Sequence, residues 1–281
     1  MRRLMNHSNT RKSDLFLHAQ RTRADVLRMI HLAKSSHAGS ALSMIDLLTV
    51  LYEKILRVDP SRPDWAARDR FVLSKGHACA GLYAVLASRG FFPRDWLNDF
   101  YRDGARLAGH VTWNGIPGIE VSTGALGHGL AIGCGMALVG KRDLQDYRVF
   151  VLLSDGECDE GSVWEAALFA PHHRLDNLVV LIDYNKIQSL AAVSDVLALE
   201  PFAAKWKAFG WRVQEIDGHN FDQIEAAFNF PPTANEKPNC IIAHTIKGKG
   251  VDFMENQVLW HYRFPDDQEL AAALSQLEGR E

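Results

Sequence analysis

The clearest pattern along the chain is a series of short apolar runs in its second half. Four of them are nearly continuous: RVFVLL at 148–153, LVVLID at 178–183, WRVQEI at 211–216 and NCIIAHT at 239–245. Runs of this kind are typical of parallel strands that are buried on both faces of a sheet. A shorter run, FVLS at 71–74, predicts one further strand.

Segments with helical spacing of apolar residues alternate with these strands. They are predicted at 13–33 (with Ser13-Asp14 as the cap), 40–56, within GHACAGLYAVLASRG, and at 160–173, 201–209 and 221–229. The alternation predicts a doubly wound, mostly parallel α/β sheet flanked by helices. We expect a single domain over residues 1–281 with an N-terminal helical segment at about 12–56. Ligands of such sheets bind outside the carboxyl ends of the strands.

Composition narrows the class of protein. The chain has 281 residues with a net charge of −3, and neither half is strongly basic, which argues against a nucleic-acid partner. Its four cysteines form no CxxC pair, so we expect reduced thiols and a cytoplasmic protein. The start MRRLMNHSNTRKS lacks an apolar signal core, and ALGHGLAIGCGMALVG is too short and glycine-rich to span a bilayer. We therefore expect no membrane association.

Acidic residues crowd the end of the first long strand. SDGECDEG follows RVFVLL directly, and Asn185 follows the next predicted strand. Adjacent parallel strands would place Asp155 and Asn185 in one crevice, where their oxygens and a nearby carbonyl would suit Mg²⁺ or Ca²⁺ and a diphosphate. Gly156 would allow close approach, and the helix starting near Glu160 would point N–H groups there. The alternative is an ordinary turn with Asp159 and Glu160 as helix-start charges.

DGECDEGSVWEA followed by LVVLIDYNKIQ resembles the thiamine diphosphate signature of transketolases. Four other segments match that family in the same order: KSSHAGSALSMIDLL, VLSKGHACAGLYA, AGHVTWNGIPGIEVSTGALGHGLAIGCGMAL and HTIKGKGVDFMENQVLWH. The resemblance covers roughly residues 20–262 and corresponds to the N-terminal half of a transketolase, as in enzymes split into two chains. It implies the thiamine diphosphate-binding fold of the PP-type (diphosphate-binding) domain.

The resemblance implies which residues bind the cofactor. Asp155, Asn185 and the carbonyl of Ile187 would bind the divalent metal, Mg²⁺ or Ca²⁺. Contacts to thiamine diphosphate would come from His77, Gly124, Ala125, Leu126, Asp155, Gly156, Glu160, Asn185 and His261.

The resemblance also implies catalytic roles. His37, His110 and His261 would surround the reactive carbon and move protons, a task for which imidazoles are suited near neutral pH. Glu160 would join a carboxylate network across a subunit interface. A lone histidine is more often a core or surface residue, but histidines inside several family blocks favour the catalytic interpretation. The segment KGKG at 247–250 is predicted to be a solvated loop. A phosphate contact there stays open, because the spacing of its residues does not argue for one.

The chain departs from the family pattern at several positions. Ser154 replaces the usual first glycine of the signature, Asp183-Tyr184 stands where a second asparagine often occurs, and Ala125 replaces a common proline. Tyr262 and Arg263 follow His261, where the family usually has a glycine. Bulk and positive charge near the substrate funnel raise the question of a different donor or acceptor from the classical pentose phosphates.

The function implied is transfer of a two-carbon ketol unit from a ketose to an aldehyde. The glutamate that this chemistry needs at the cofactor's aminopyrimidine lies in the family's pyrimidine-binding domain, which this chain does not resemble. We therefore expect a second subunit carrying the pyrimidine-binding and C-terminal domains, in an α2β2 assembly that acts on a small sugar or carbonyl substrate. Two alternatives stay open: a split enzyme that uses pyruvate or another 2-oxoacid, and a non-catalytic cofactor-binding subunit.

Overall fold

A five-stranded, fully parallel sheet forms the centre of the computed structural model, which describes residues 7–229 and 236–279, with backbone alone for 7–13. The strands are β1 (Arg70–Leu73), β2 (Val149–Ser154), β3 (Leu178–Tyr184), β4 (Arg212–Asp217) and β5 (Asn239–His244). Their order across the sheet is β1-β2-β3-β5-β4. The predicted parallel α/β sheet is confirmed, and each strand lies within one residue of its predicted position.

Ten α-helices flank the sheet in the described residues. They are α1 (His7–Ala33), α2 (Ala38–Ser43), α3 (Ile45–Val50), α4 (Cys79–Ser88), α5 (Gly129–Arg142), α6 (Gly161–His172), α7 (Val193–Val196), α8 (Phe202–Ala208), α9 (Phe221–Ala227) and α10 (Asp267–Glu278). The predicted cap at Ser13-Asp14 is wrong, because α1 already begins at His7. No described helix combines the length and apolar character needed to cross a membrane.

The helix predicted at 40–56 is interrupted. It is divided into α2, α3 and a π-helical turn at Leu51–Ile55. At the break the Ser43 hydroxyl lies 3.1 Å from the Ser40 carbonyl and also contacts the Asp183 carboxylate. Hydroxyls that bond nearby backbone compete with regular helix geometry. Periodicity alone could not reveal this break, because the apolar spacing continues through it.

Alternation along the strands divides the core into two layers. Phe150 and Leu152 of β2 pack with the side of the sheet covered by α1–α4, α9 and α10. Val149, Val151 and Leu153 point to the other side, covered by α5, α6 and α8. Successive strand side chains point to opposite faces, so a strand covered on both sides must be apolar throughout. This explains the continuous runs in the sequence.

Three helices, α5, α7 and α10, were not predicted. In α5 a Cβ on Gly133 would lie only 2.4 Å from Val151, so glycine lets the helix lie close to β2 despite its poor helix propensity. In α10 the Asp266 carboxylate accepts from the Glu269 N–H at 2.8 Å, and Glu269 accepts from the Asp266 N–H at 2.9 Å. This reciprocal capping box is a sequence signal that was available for the helix.

Candidate active site

A cavity of about 250 Å³ lies at the carboxyl ends of the strands, where ligands of this class of sheet bind. Ten of the predicted site residues line it: His37, His77, His110, Gly124, Leu126, Asp155, Gly156, Asn185, Ile187 and His261. Seven lining residues had no predicted role: Ser40, Lys75, Ser154, Glu157, Gln188, Ser189 and Lys247. Ala125 and Glu160 are exposed and lie outside this lining.

The turns after the strands bring the lining residues together. His77 follows β1, Asp155 follows β2, and Asn185 follows β3. Because β1, β2 and β3 are neighbouring parallel strands, these three turns meet at one edge of the sheet. The helix starting near Glu160 was expected to point its N–H groups into the site, but no residue of α6 lines the cavity. The short turn at Gly156–Asp159, which precedes α6, lies there instead.

Asp155 is a buried carboxylate whose oxygens point toward backbone N–H groups. Oδ1 accepts from the Gly156 N–H at 2.7 Å, and Oδ2 accepts from the Lys186 N–H at 2.6 Å. Burial and the nearby Asp183 carboxylate raise the pKa of Asp155 to about 7. A buried carboxylate with a second one beside it is stabilised in its charged form by a cation.

The neighbouring oxygen ligands fit a hard cation. Asn185 Oδ1 accepts from the Ile187 N–H at 3.2 Å, and both residues line the cavity with Asp155. Within residues 7–229 and 236–279 no cluster of three or more His, Cys, Asp or Glu could hold a metal. A metal at Asp155 would therefore depend on amide and carbonyl oxygens and on a ligand's own oxygens, a set that Mg²⁺ and Ca²⁺ accept.

The other acidic residues of SDGECDEG have separate environments. Glu157 is fully buried and accepts from the Gly127 N–H at 2.9 Å and from the Ser74 hydroxyl. Burial raises the pKa of Glu157. Asp159 accepts from the Gln188 amide at 2.7 Å, whereas Glu160 is exposed. The crowding of charge in the sequence is thus resolved by pointing the carboxylates in different directions.

Two buried lysines supply positive charge to the cavity. Lys75 is fully buried, forms an ion pair with Asp183 and donates to the Ser40 carbonyl at 2.9 Å. Burial opposes ionisation of Asp183, but the Lys75 ammonium together with hydrogen bonds from Ser43 and Thr245 outweighs it, and the pKa of Asp183 is lowered. The Asp183-Tyr184 segment therefore includes a carboxylate that lies opposite a buried ammonium.

Lys247 is the second of these lysines. It is 1 % exposed and donates to the carbonyls of Ile187 at 2.9 Å and Gln188 at 3.1 Å. Burial lowers the pKa of Lys247 to about 8. The expectation of a solvated KGKG loop is wrong for this residue, because the turn after β5 folds back over the end of β3. Ammonium groups so placed attract an anion such as a diphosphate.

The four predicted histidines meet in the cavity. The His37 ring centroid lies 5.0 Å from that of His77, 4.9 Å from that of His261 and 6.0 Å from that of His110. The His37 N–H donates to the His261 carbonyl at 3.0 Å, so the backbone itself joins α2 to the turn at Val258–His261. The distance in sequence between these residues hides this contact.

The electrostatic environment favours the neutral forms of His37, His77 and His261. Burial, with His110 and Lys247 nearby, lowers the pKa of His37 to about 4. Burial and Lys247 lower the pKa of His261 to about 3, and burial with Lys75 lowers that of His77 well below its usual range. At neutral pH these imidazoles are therefore able to accept a proton as well as to donate a hydrogen bond.

The two residues after His261 differ in their environment. The Tyr262 hydroxyl donates to the Ser189 carbonyl at 2.6 Å and so ties two cavity walls together, while the side chain is 56 % exposed. Arg263 pairs with Glu269 and lies 4.7 Å from the Trp260 ring centroid. The expected bulk near the cavity is present, but the expected positive charge is neutralised by Glu269.

The fold and the cavity define a class of protein: a parallel α/β domain with a histidine-lined cavity at its strand ends. Residues 17–277 match the family described as "Transketolase, thiamine diphosphate binding domain". The chain is 41 % identical over 266 residues to an apulose-4-phosphate transketolase subunit of Phocaeicola vulgatus, covering 95 % of this chain and 94 % of that one. It is 42 % identical over 242 residues to "6-deoxy-6-sulfo-D-fructose transketolase subunit SqwG" of a Clostridium species, covering 86 % and 88 %.

Solved structures agree. The transketolase of Campylobacter jejuni superposes with a TM-score of 0.86 at 30 % identity, covering 94 % of this chain and 43 % of that one. The chain belongs to the transketolase family and corresponds to its thiamine diphosphate-binding domain. The predicted class, a thiamine diphosphate-dependent transferase, is confirmed by these similarities.

Proposed function

We propose that this chain is the diphosphate-binding subunit of a two-chain transketolase that transfers a two-carbon ketol unit from a ketose to an aldehyde. The observation that carries the proposal is the meeting of four histidines with Asp155, Asn185 and two buried lysines in one cavity. Thiamine diphosphate, when bound, supplies the carbanion that attacks carbonyl carbon, and the protein supplies position and protons.

The floor of the cavity would bind the diphosphate. Asp155, Asn185 and the Ile187 carbonyl are the proposed ligands of Mg²⁺ or Ca²⁺, and His77 is a proposed diphosphate contact. Lys247 lies against the same carbonyl at 2.9 Å and adds positive charge at this end. Gly156 supports close approach, because even a Cβ there would lie 3.0 Å from the Gln188 side chain.

One wall of the cavity, the histidine wall, consists of His37, His110 and His261 and is proposed to bind the substrate. These histidines are proposed to bind the oxygens of the substrate and to accept or return their protons. The low pKa values of His37 and His261 support this role, since a neutral imidazole can accept a proton from a hydroxyl. Gly124 and Leu126 line the same cavity and are proposed to contact the cofactor rings, together with Ala125.

A partner subunit is proposed to complete the site. The Phocaeicola and Clostridium relatives are both called subunits, while the Campylobacter transketolase is more than twice the length that this chain covers. Glu160 and Ala125 are exposed, as residues awaiting a second surface would be. We propose an α2β2 assembly in which Glu160 meets a carboxylate of the partner that carries the pyrimidine-binding and C-terminal domains.

We also propose a cellular setting and a class of substrate. All four cysteines are free and buried, which supports a reducing, cytoplasmic setting. The names of the two relatives point to a ketose phosphate and a sulfonated ketose as substrates of those proteins. We propose a small ketose donor and an aldehyde acceptor for this chain.

Reconstitution tests the proposal. The chain would be assayed alone and with a second chain that carries a transketolase pyrimidine-binding domain, using thiamine diphosphate, Mg²⁺ and a panel of ketose donors. We expect no ketol transfer from the chain alone and transfer from the mixture. Turnover of pyruvate without ketose turnover would favour the 2-oxoacid alternative. Full ketol transfer by the lone chain would overturn the two-chain proposal, and a mixture that binds cofactor without any turnover would favour a non-catalytic subunit.

A further inference from the structure

A buried network of three charged or polar side chains lies behind the cavity without lining it. Arg23 of α1 donates to both carboxylate oxygens of Asp46 of α3, at 2.9 and 2.8 Å. His219, in the turn after β4, contacts the same carboxylate through Nδ1 at 2.7 Å. The side chains of Arg23, Asp46 and His219 are 3, 5 and 12 % exposed.

The network reaches the backbone on both sides of Lys247. The Ile246 N–H donates to His219 Nε2 at 2.8 Å, so Nδ1 carries the ring proton and donates to Asp46. Arg23 Nε donates to the Lys249 carbonyl at 3.0 Å. Ile246 and Lys249, on either side of Lys247, are therefore both linked to the Asp46 carboxylate. Ile246 is linked through His219, and Lys249 is linked through Arg23.

The turn around Lys247 is shaped to fit these anchors. Gly248 has a φ of 81°, and its N–H donates to the Gly39 carbonyl at 3.0 Å. Gly250 has a φ of 101°, and a Cβ there would lie 2.9 Å from Arg23 Cδ. Glycine is needed where the backbone turns left-handed and approaches another group this closely. Gly250 thus lets the turn lie close to Arg23, while Gly248 lets it bend toward Gly39.

Stability alone is a weak reason for such a network. Burying an ion pair costs desolvation that its attraction often only offsets, and well-packed apolar residues frequently replace one without loss. What apolar side chains cannot supply is a directed acceptor for the Ile246 N–H and a directed donor for the Lys249 carbonyl. The network therefore fixes the orientation of the turn.

We propose that Arg23, Asp46 and His219 are positioning residues that hold the Lys247 ammonium on the carbonyls of Ile187 and Gln188. Asp46 is the hub, since it binds both other side chains. The consequence of this positioning for catalysis rests on the proposed function. If the turn were released, the Lys247 ammonium would leave the Ile187 carbonyl, which is the proposed metal ligand, and the affinity for the cofactor would fall.

Asp46→Asn tests this on the chain alone. Lys247 would be acylated with an amine-reactive reagent at one fixed pH and followed by peptide mass spectrometry, and hydrogen exchange of residues 246–250 would be measured in parallel. We expect labelling of Lys247 at least about tenfold faster than in the parent, together with faster exchange of the turn.

Glu120→Gln is the matched control. Glu120 pairs with Arg68 in a comparably shielded ion pair, with side chains 10 and 14 % exposed, and neither residue contacts the Lys247 turn. The two variants would be compared at temperatures where their fractions unfolded are equal. The control should leave Lys247 labelling unchanged. Equal protection of Lys247 in Asp46→Asn and the control would overturn the proposal.

A second pair of variants covers the case in which Asp46→Asn fails to fold. His219→Ala leaves the Arg23–Asp46 pair intact and removes the Ile246 anchor, whereas His219→Gln keeps an acceptor near that N–H. We expect fast exchange at Ile246 in the first and partial rescue in the second. Identical slow exchange in both would reject the positioning role. Failure of the parent complex to bind thiamine diphosphate would reject the proposed function and leave these comparisons on the lone chain intact.

Discussion

The floor and the rim of the cavity differ in how far this chain completes them. The floor, defined as Lys75, Asp155, Glu157, Asn185 and Lys247, is buried, and its charged groups have partners within the chain. The rim, defined as Ala125, Glu160 and Tyr262, is exposed. The contrast suggests that the diphosphate end is preorganised by this fold, while the end facing the cofactor ring depends on a second surface.

The largest effect should come from removing the Asp155 carboxylate of the floor. Asp155→Ala should weaken metal-dependent binding of thiamine diphosphate by roughly a hundredfold or more, since loss of one partner of a buried charge pair costs about 3–5 kcal/mol. Calorimetry on the chain with its partner subunit, with and without Mg²⁺, measures this. Asp159→Ala, which removes a nearby carboxylate outside the cavity lining, is the control and should bind nearly as the parent does. Unchanged, metal-dependent affinity in Asp155→Ala would contradict the proposed metal ligand.

A second change tests His261, which belongs to the histidine wall between the floor and the rim. His261→Ala should lower turnover by roughly 10²–10⁴, the loss typical of a general acid–base group, while cofactor affinity changes far less. Steady-state kinetics and calorimetry on the same preparation separate these quantities. His128→Ala removes an exposed histidine outside the cavity lining and should keep normal turnover. If His261→Ala turned over its substrate normally, the wall would have no part in proton transfer.

The neutral state of His37 predicts a pH dependence of stability. The pKa of His37 is about 4 in the folded chain and about 6.5 when unfolded, so the unfolded state binds more protons between these values. The free energy of unfolding should therefore fall as the pH is lowered from 7 to 5, by about 1 kcal/mol from His37 after allowance for its partial exposure.

Urea unfolding at both pH values measures this dependence in the lone chain. His37→Gln cannot titrate and should lose about 1 kcal/mol less than the parent between pH 7 and 5. A His172→Gln variant, which alters a histidine at the end of α6 far from the cavity lining, should follow the parent. Equal slopes for the parent and His37→Gln would show that His37 titrates as a solvated histidine.

The smallest effect is expected at the rim. Tyr262→Phe removes only the hydrogen bond to the Ser189 carbonyl, and a single exposed bond contributes about 1 kcal/mol or less, so preference among ketose donors should shift by at most about fivefold. Tyr262→Gly also removes the ring and should shift preference further. Competition between two donors of different size would measure both. An unchanged preference in Tyr262→Gly would show that this residue does not select the substrate.

Much of the site was predictable because its residues lie in short local signals. Asp155 and Asn185 follow consecutive apolar strands, and the βαβ rule places such positions together without knowledge of the rest of the fold. Lys75 and Lys247 were missed for the opposite reason. A lysine in a loop reads as solvated, and its burial depends on which strand ends lie next to each other, here β1 beside β2 and β5 beside β3.

The sequence by itself determined the parallel α/β class and the edge of the sheet at which the cavity lies, because periodicity and strand-end motifs are local properties, and its family resemblance indicated the histidines that line the cavity. Only the tertiary structure decided which charges are buried and which partners they have. It directed Glu157 inward and left Glu160 exposed three residues later, and it joined Arg23, Asp46 and His219 behind Lys247. Those contacts span distances along the chain at which no local pattern specifies a partner, and burial, which sets their strength, arises only when the helices close over the sheet.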